Sequence, residues 1–286
     1  MKILVTGCNG MLGNDVIDIL SQTHQVVGID IDDCDITDIE QVYGKVAKIE
    51  PELVVHTAAY TDVDGCEKNI ELAYRVNAIG TQNVALSCQR LGAIMLYVST
   101  DFVFNGNKSE PYLEWDSPNP LSVYGFSKYA GEHFVTGLLN KYYIIRIAWL
   151  YGGNGKNFVK TILRLADEQG KLRIVDDQIG SPTYTIDVAR GIERLVESGR
   201  YGIYHMVNKG AVSWYEFARK ILDLSERHHV MIEPITSEEL GRPAIRPAYS
   251  ALRNLALELT IGDPMRAWEA ALGEFIKEKV LKENSA

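Results

Sequence analysis

Tyr124 and Lys128 stand four apart in Tyr124-Gly125-Phe126-Ser127-Lys128, which puts a phenol and an ammonium on one face of a helical turn. A free tyrosine, with a pKa of about 10, exchanges protons poorly at neutral pH. A neighbouring ammonium favours the phenolate and lowers that value, the tuning a general acid needs. An ordinary exposed pair has the same spacing, so position in the chain must decide. The pair follows a strand ending in Ser99-Thr100-Asp101, where a hydroxyl would polarise a substrate carbonyl beside the tyrosine. Open α/β sheets bind ligands at the carboxyl ends of their strands. A cap or turn is the plain alternative for this cluster, and it suits Asp101 better than Thr100.

A second constellation lies at the start of the chain. Thr6-Gly7-Cys8-Asn9-Gly10-Met11-Leu12-Gly13 joins a first strand to a first helix. Glycines there permit a tight turn and let backbone N–H groups approach a pyrophosphate at the helix N-terminus. The glycines are spaced three and three, which departs from the common dinucleotide fingerprint. Asp30 ends the next strand, where a carboxylate accepts hydrogen bonds from ribose hydroxyls. Asp32, Asp33 and Asp35 surround it without an Arg or Lys to meet a 2′-phosphate, so like-charge repulsion favours NADH over NADPH.

These groups need a scaffold. Apolar runs predict strands over Lys2–Thr6, Gln25–Ile29, 53–57, 94–99 and 142–148, and helical periods run over 11–22 and 37–49. The alternation implies right-handed crossovers and a Rossmann-type, doubly wound parallel sheet of the α/β class. Residues 1–150 are expected to form the NAD(P)-binding domain. Residues 151–286 are expected to form mainly a smaller, partly interleaved α/β substrate lobe, with some segments returning to the first domain. Helices are expected near Phe158–Glu168, 186–197 and 213–224, the last capped by Ser213, and a strand over 201–207. The loop 105–120, with three prolines and no period, reads as a functional surface loop.

The composition narrows the function. A net charge of −9 argues against a nucleic-acid partner. No apolar run approaches the roughly 18 residues of a membrane span. A strand in the first five residues leaves no room for a signal peptide. Cys8, Cys34, Cys66 and Cys88 follow no zinc or redox spacing, and His228-His229 reads as solvated, so no metal is expected and reduced thiols point to the cytoplasm.

The turn at 7–13, His56-Thr57-Ala58-Ala59, Asn77, Ser99-Thr100 and Tyr124 with Lys128 together resemble the extended short-chain dehydrogenase/reductases. Further stretches narrow the likeness: Ala59-Tyr60-Thr61-Asp62-Val63-Asp64, the run from Ser99 to Phe104, and Arg146-Ile147-Ala148-Trp149-Leu150-Tyr151. Asn157-Phe158, Gly180-Ser181-Pro182-Thr183 and Arg242-Pro243 with Arg246-Pro247 add to them. These resemble the dTDP-4-dehydrorhamnose reductase family over nearly the whole chain.

The resemblance implies an NADH- or NADPH-dependent reductase of a small nucleotide-sugar substrate, with Tyr124, Lys128 and Thr100 catalytic. It implies that Gly7, Gly10, Met11, Leu12 and Gly13 cradle the pyrophosphate, Asp30 the ribose, and Asp35 with Ile36 the adenine. Ala58, Ala59, Tyr60, Thr61, Asn77 and Ser99 would add cofactor contacts, and Lys128 would hold the nicotinamide ribose. Val63, Thr100, Asp101, Tyr124 and Trp149 would meet the sugar. Arg242 and Arg246 are candidates for its diphosphate, with surface ion pairing as the alternative. Phe102 and Asp62 depart from the family, which usually has Tyr and a small residue there. A homodimer is left open. The rivals are another nucleotide-sugar reductase, an epimerase or a dehydratase on the same fold, and a non-catalytic nucleotide sensor.

Overall fold

β1 (Lys2–Thr6), β2 (Gln25–Ile29), β3 (Leu53–His56), β4 (Ile94–Thr100) and β5 (Tyr142–Ile147) lie parallel in one six-stranded sheet, which the strand Gly202–His205 completes. In this computed structural model, residues 1–280 are described; the last residues of the expected second lobe, 281–286, lie outside the described residues. The strand order is β2, β1, β3, β4, β5, then Gly202–His205. The chain therefore leaves β1 toward one edge and returns from β2 to the other side of β1. That reversal opens a crevice above the carboxyl ends of β1 and β3.

Helices cover both faces, which is why the strands are apolar almost throughout. Ile3 and Val5 point to the face covered by α1 (Met11–Leu20) and the helix Thr185–Ser198. Leu4 and Val54 point to the other face, under α2 (Ile39–Ile49), Thr81–Leu91 and Val123–Leu138. The Asp38 carboxylate caps α2 by accepting from the N–H groups of Glu40 and Gln41.

The chain between β3 and β4 shows no clean helical period, yet it folds as helices Val63–Lys68, Ile70–Tyr74 and Thr81–Leu91 around a π-helical stretch, Arg75–Gly80. A π turn holds an extra residue, which shifts the apolar stripe out of phase.

A second core, built around Tyr151, Tyr184, Phe217 and Phe275, unites the helices Phe158–Glu168, Trp214–Leu224 and Trp268–Phe275. Ser213 caps the second of these in a capping box with Glu216. Thr185–Ser198 and Gly202–His205 interrupt this lobe in sequence and pack into the first core. The 105–120 loop is anchored there too: the Tyr112 N–H donates to the Ala251 carbonyl at 2.9 Å, and buried Glu114 accepts from the N–H groups of His205 and Ala256. Among the described residues, no helix is long and apolar enough to cross a membrane.

Candidate active site

One cavity of about 840 Å³ runs along the carboxyl edge of the sheet. At one end, β1 enters the glycine turn. Gly7 has a φ of 71°, and a Cβ there would lie 2.7 Å from the backbone of Ala58. A Cβ on Gly13 would come within 2.2 Å of the Gly7 carbonyl oxygen. The two glycines thus let α1 and the loop after β3 close on the turn. No side chain caps α1 at Gly10, and Gly7, Gly10, Met11, Leu12 and Gly13 all line the cavity. An uncapped helix N-terminus with its first N–H groups at a cavity is an anion site.

The Asp30 carboxylate accepts from the N–H groups of Asn9 and Ile31, each at 2.8 Å, which ties the end of β2 to the turn. Asp35 and Ile36 line the same end, together with Cys34 and Thr37. Among the described residues, the cationic side chains lining the cavity are Lys128 and Arg246, both away from this end. Helix N-terminus, carboxylate and apolar slot together fit an adenine dinucleotide.

Ala58, Ala59, Thr61 and Val63 line the middle of the cavity; Tyr60 and Asn77 do not. Asn77 is fully buried beneath the loop rather than facing a ligand. Its amide donates to the Tyr60 carbonyl and to Ser127 Oγ, both at 3.0 Å, while its Oδ1 accepts the Tyr60 N–H at 2.7 Å. It ties the loop after β3 to the helix that carries Tyr124 and Lys128. Asp62 likewise serves as a cap, accepting the Gly65 N–H at 2.9 Å at the start of Val63–Lys68.

Ser99, Thr100, Tyr124 and Lys128 meet at the centre. Tyr124 opens onto the cavity, but the walls around it desolvate the phenol and push its pKa above the ordinary value. A hydrogen bond with Thr100 opposes that rise, and the nearby Asp101 adds to it. The expected lowering by Lys128 is not what the site shows. Burial pushes the Lys128 ammonium itself down to about 7, and Glu132 pulls it back up. Lys128 Nζ sits 4.3 Å from the centroid of the Tyr97 ring, where a cation is attracted by the π face.

Thr100 Oγ1 donates to Asp101 Oδ1 at 3.0 Å and accepts the Phe102 N–H. Asp101 is buried and desolvation pushes its pKa up to about 6 against hydrogen bonds from Ser250 and Thr100, while its Oδ2 has no hydrogen-bond partner among the described residues. Phe102 packs edge-on against Tyr124 with 5.6 Å between ring centroids.

The far end is aromatic. The Trp149 indole stacks on Trp214 with centroids 3.4 Å apart and planes 5° from parallel. Trp149 has a left-handed φ of 46°, and a Cβ on Gly180 would lie 2.3 Å from its ring, so the indole is clamped between Gly180 and Trp214. Arg246 lines this end and pairs with Asp64 through two contacts of 3.0 Å, whereas Arg242 reaches Asp64 only at 3.5 Å and does not line the cavity. Trp214 carried no local signal in the sequence: it opens a helix as an amphipathic residue would, and only the fold brings it to Trp149. Among the described residues no group of three or more His, Cys, Asp or Glu is placed to hold a metal ion, and His228 is exposed beside Asp223.

The chain is similar to known proteins in both sequence and fold. The sequence profile described as RmlD substrate binding domain matches residues 1–281. The spore coat polysaccharide biosynthesis protein SpsK of Bacillus subtilis is 42% identical over 279 residues, covering 97% of this chain and 98% of that protein. The crystal structure of a dTDP-4-dehydrorhamnose reductase from Clostridium acetobutylicum superposes with a TM-score of 0.95 at 45% identity, covering 97% of this chain and 99% of the other. That of the dTDP-4-dehydrorhamnose reductase of Bacillus anthracis, in complex with NADP, gives a TM-score of 0.95 at 44% identity with the same coverage.

Proposed function

The chain belongs to the RmlD substrate binding domain family, and we propose that it reduces the C4 keto group of dTDP-4-dehydro-L-rhamnose to give dTDP-L-rhamnose. One observation carries this reading. Thr100, Tyr124 and Lys128 stand where the dinucleotide end of a single cavity meets an end walled by Trp149, Trp214 and Arg246. A bound dihydronicotinamide supplies the hydride.

The chain's own residues do the rest. Tyr124, kept protonated by desolvation of its phenol, donates its proton to the carbonyl oxygen as negative charge develops there. Thr100 orients that oxygen beside the phenol. Lys128, as the ammonium, stabilises the phenolate left behind and meets the nicotinamide ribose. Asp101, with its unpartnered Oδ2, accepts from a sugar hydroxyl. Trp149 and Trp214 wall off the sugar, and Arg246 meets the diphosphate. Holding these groups together accounts for much of the rate. Met11 and Leu12 offer backbone N–H groups to the dinucleotide pyrophosphate, and Asp30 accepts from its adenosine ribose. Among the described residues no cation lines the Asp30 end, which supports NADH as the preferred cofactor, although the Bacillus anthracis relative is in complex with NADP.

Purified protein supplied with the dTDP-linked 4-keto-6-deoxy sugar is expected to oxidise one NADH per sugar reduced, followed by the loss of the reduced cofactor's near-ultraviolet absorbance. Turnover that needs only catalytic amounts of cofactor would show an epimerase instead. A dehydratase needs a proton-transferring side chain after the Thr-Asp pair, and Phe102 stands there.

A further inference from the structure

Beneath the reacting groups lies a charged pair that the mechanism above does not use. Glu132 follows Lys128 by one helical turn, and both it and Arg146 on β5 have side chains only 3% exposed. Arg146 grips the Glu132 carboxylate from two sides, Nε to Oε1 at 2.9 Å and an η nitrogen to Oε2 at 2.7 Å. Ser99 Oγ donates to the same Oε1 at 2.5 Å. The other Arg146 η nitrogen donates to the Glu114 carbonyl at 3.2 Å, and its guanidinium lies 5.2 Å from the centroid of the Phe104 ring.

One carboxylate therefore joins three elements that carry site residues. The helix Val123–Leu138 holds Tyr124 and Lys128, β4 ends in Ser99 and Thr100, and β5 runs into Trp149. A hydrophobic cluster would join them as well, and a buried ion pair is weak evidence for stability. What distinguishes this pair is its position directly beneath the ammonium.

We propose that Glu132 is a positioning residue for proton transfer: locked by Arg146 and Ser99, its carboxylate keeps Thr100 in register with Tyr124 and holds a negative charge one turn below Lys128. This rests on the reductase reading above. Around Lys128, β4 presents the Tyr97 ring and β3 the buried His56, which stacks on Tyr97. Burial pushes the His56 pKa down to about 3, so the imidazole is neutral and supplies no negative charge. On its own helix Lys128 has Tyr124 above and Glu132 below. Glu132 is the group that opposes the desolvation of the ammonium.

The test compares wild type, Glu132→Gln, and the paired variant Glu132→Leu with Arg146→Met, whose apolar pair leaves no charge stranded if the single variant misfolds. The pH dependence of kcat/KM for the keto sugar reports groups of the free enzyme. Its alkaline limb is expected to move to lower pH by about one unit or more in both variants. A 13Cε-lysine NMR titration of the cofactor-free protein, with Lys128→Met identifying the resonance, is expected to show the same shift. If Lys128 titrates in the folded paired variant as it does in wild type, Glu132 only packs the core and the proposal falls. If wild type does not reduce the keto sugar, the functional reading falls, and the titration alone decides the role of Glu132.

Discussion

The two ends of the cavity are built by different means. The end proposed for the dinucleotide is made of backbone. Gly7, Gly10 and Gly13 bring α1, the β1 turn and Ala58 close together, and the groups they present are peptide N–H donors and one carboxylate, Asp30. The end proposed for the sugar is made of side chains drawn from distant segments: Trp149 after β5, Trp214 in the second lobe, and Arg246 on a late loop held by Asp64. A backbone site tolerates little change of volume but presents the same groups whatever residues surround it. A side-chain site can be retuned one residue at a time. A fold with this division keeps one cofactor while it varies its substrate.

Substitutions at the junction and at each end put that contrast at risk, in order of size. Tyr124→Phe removes the proposed proton donor between the ends and is expected to lower kcat by about two to four orders of magnitude. Cofactor affinity, followed by fluorescence titration, should be unchanged. A rate near that of wild type would sink the mechanism. Gly13→Ala should damage the backbone end as a unit, because its methyl meets the Gly7 carbonyl. Overpacking of this kind costs about 1–3 kcal/mol, so thermal unfolding should shift down by several degrees and cofactor affinity fall by about tenfold or more. If only the sugar KM moved, the division between the ends would be wrong.

Trp214→Ala tests the other end. Losing the stacked partner of Trp149 removes about 1 kcal/mol of aromatic contact, so the nucleotide-sugar KM should rise about fivefold while cofactor affinity holds. The smallest effect is expected at Asp30. Asp30→Asn should lower the NADH-to-NADPH preference in kcat/KM by about fivefold, the size of roughly 1 kcal/mol of repulsion between charges about 4 Å apart in water. An unchanged ratio would show that Asp30 only braces the turn through Asn9.

The same contrast decides how much could be read from the sequence. The strands, α1 and the glycine turn are contiguous, so spacing alone placed them within a residue or two. Tyr124 and Lys128 were legible because one helical turn fixes their relation. Lys128 was nevertheless expected to lower the Tyr124 pKa, and burial dominates both groups instead. Desolvation depends on everything packed around a side chain, which no local spacing records. Trp214 and the choice of Arg246 over Arg242 escaped for the same reason. Asn77 was assigned to the cofactor, but the π-helical stretch that carries it turns its amide toward Tyr60 and Ser127. Glu132 did have a signal, since it continues the four-residue spacing of Tyr124 and Lys128. Its buried partner Arg146 was hidden inside a strand that reads as apolar.

The indole pair at the sugar end has a spectroscopic consequence. Two chromophores 3.4 Å apart and nearly parallel couple their transitions, so near-ultraviolet circular dichroism from this pair should stand apart from that of the exposed Trp115 and the buried Trp268. The molecule thus carries its own optical gauge where the sugar is expected to bind. Anything that parts the two rings changes the signal without a label being added.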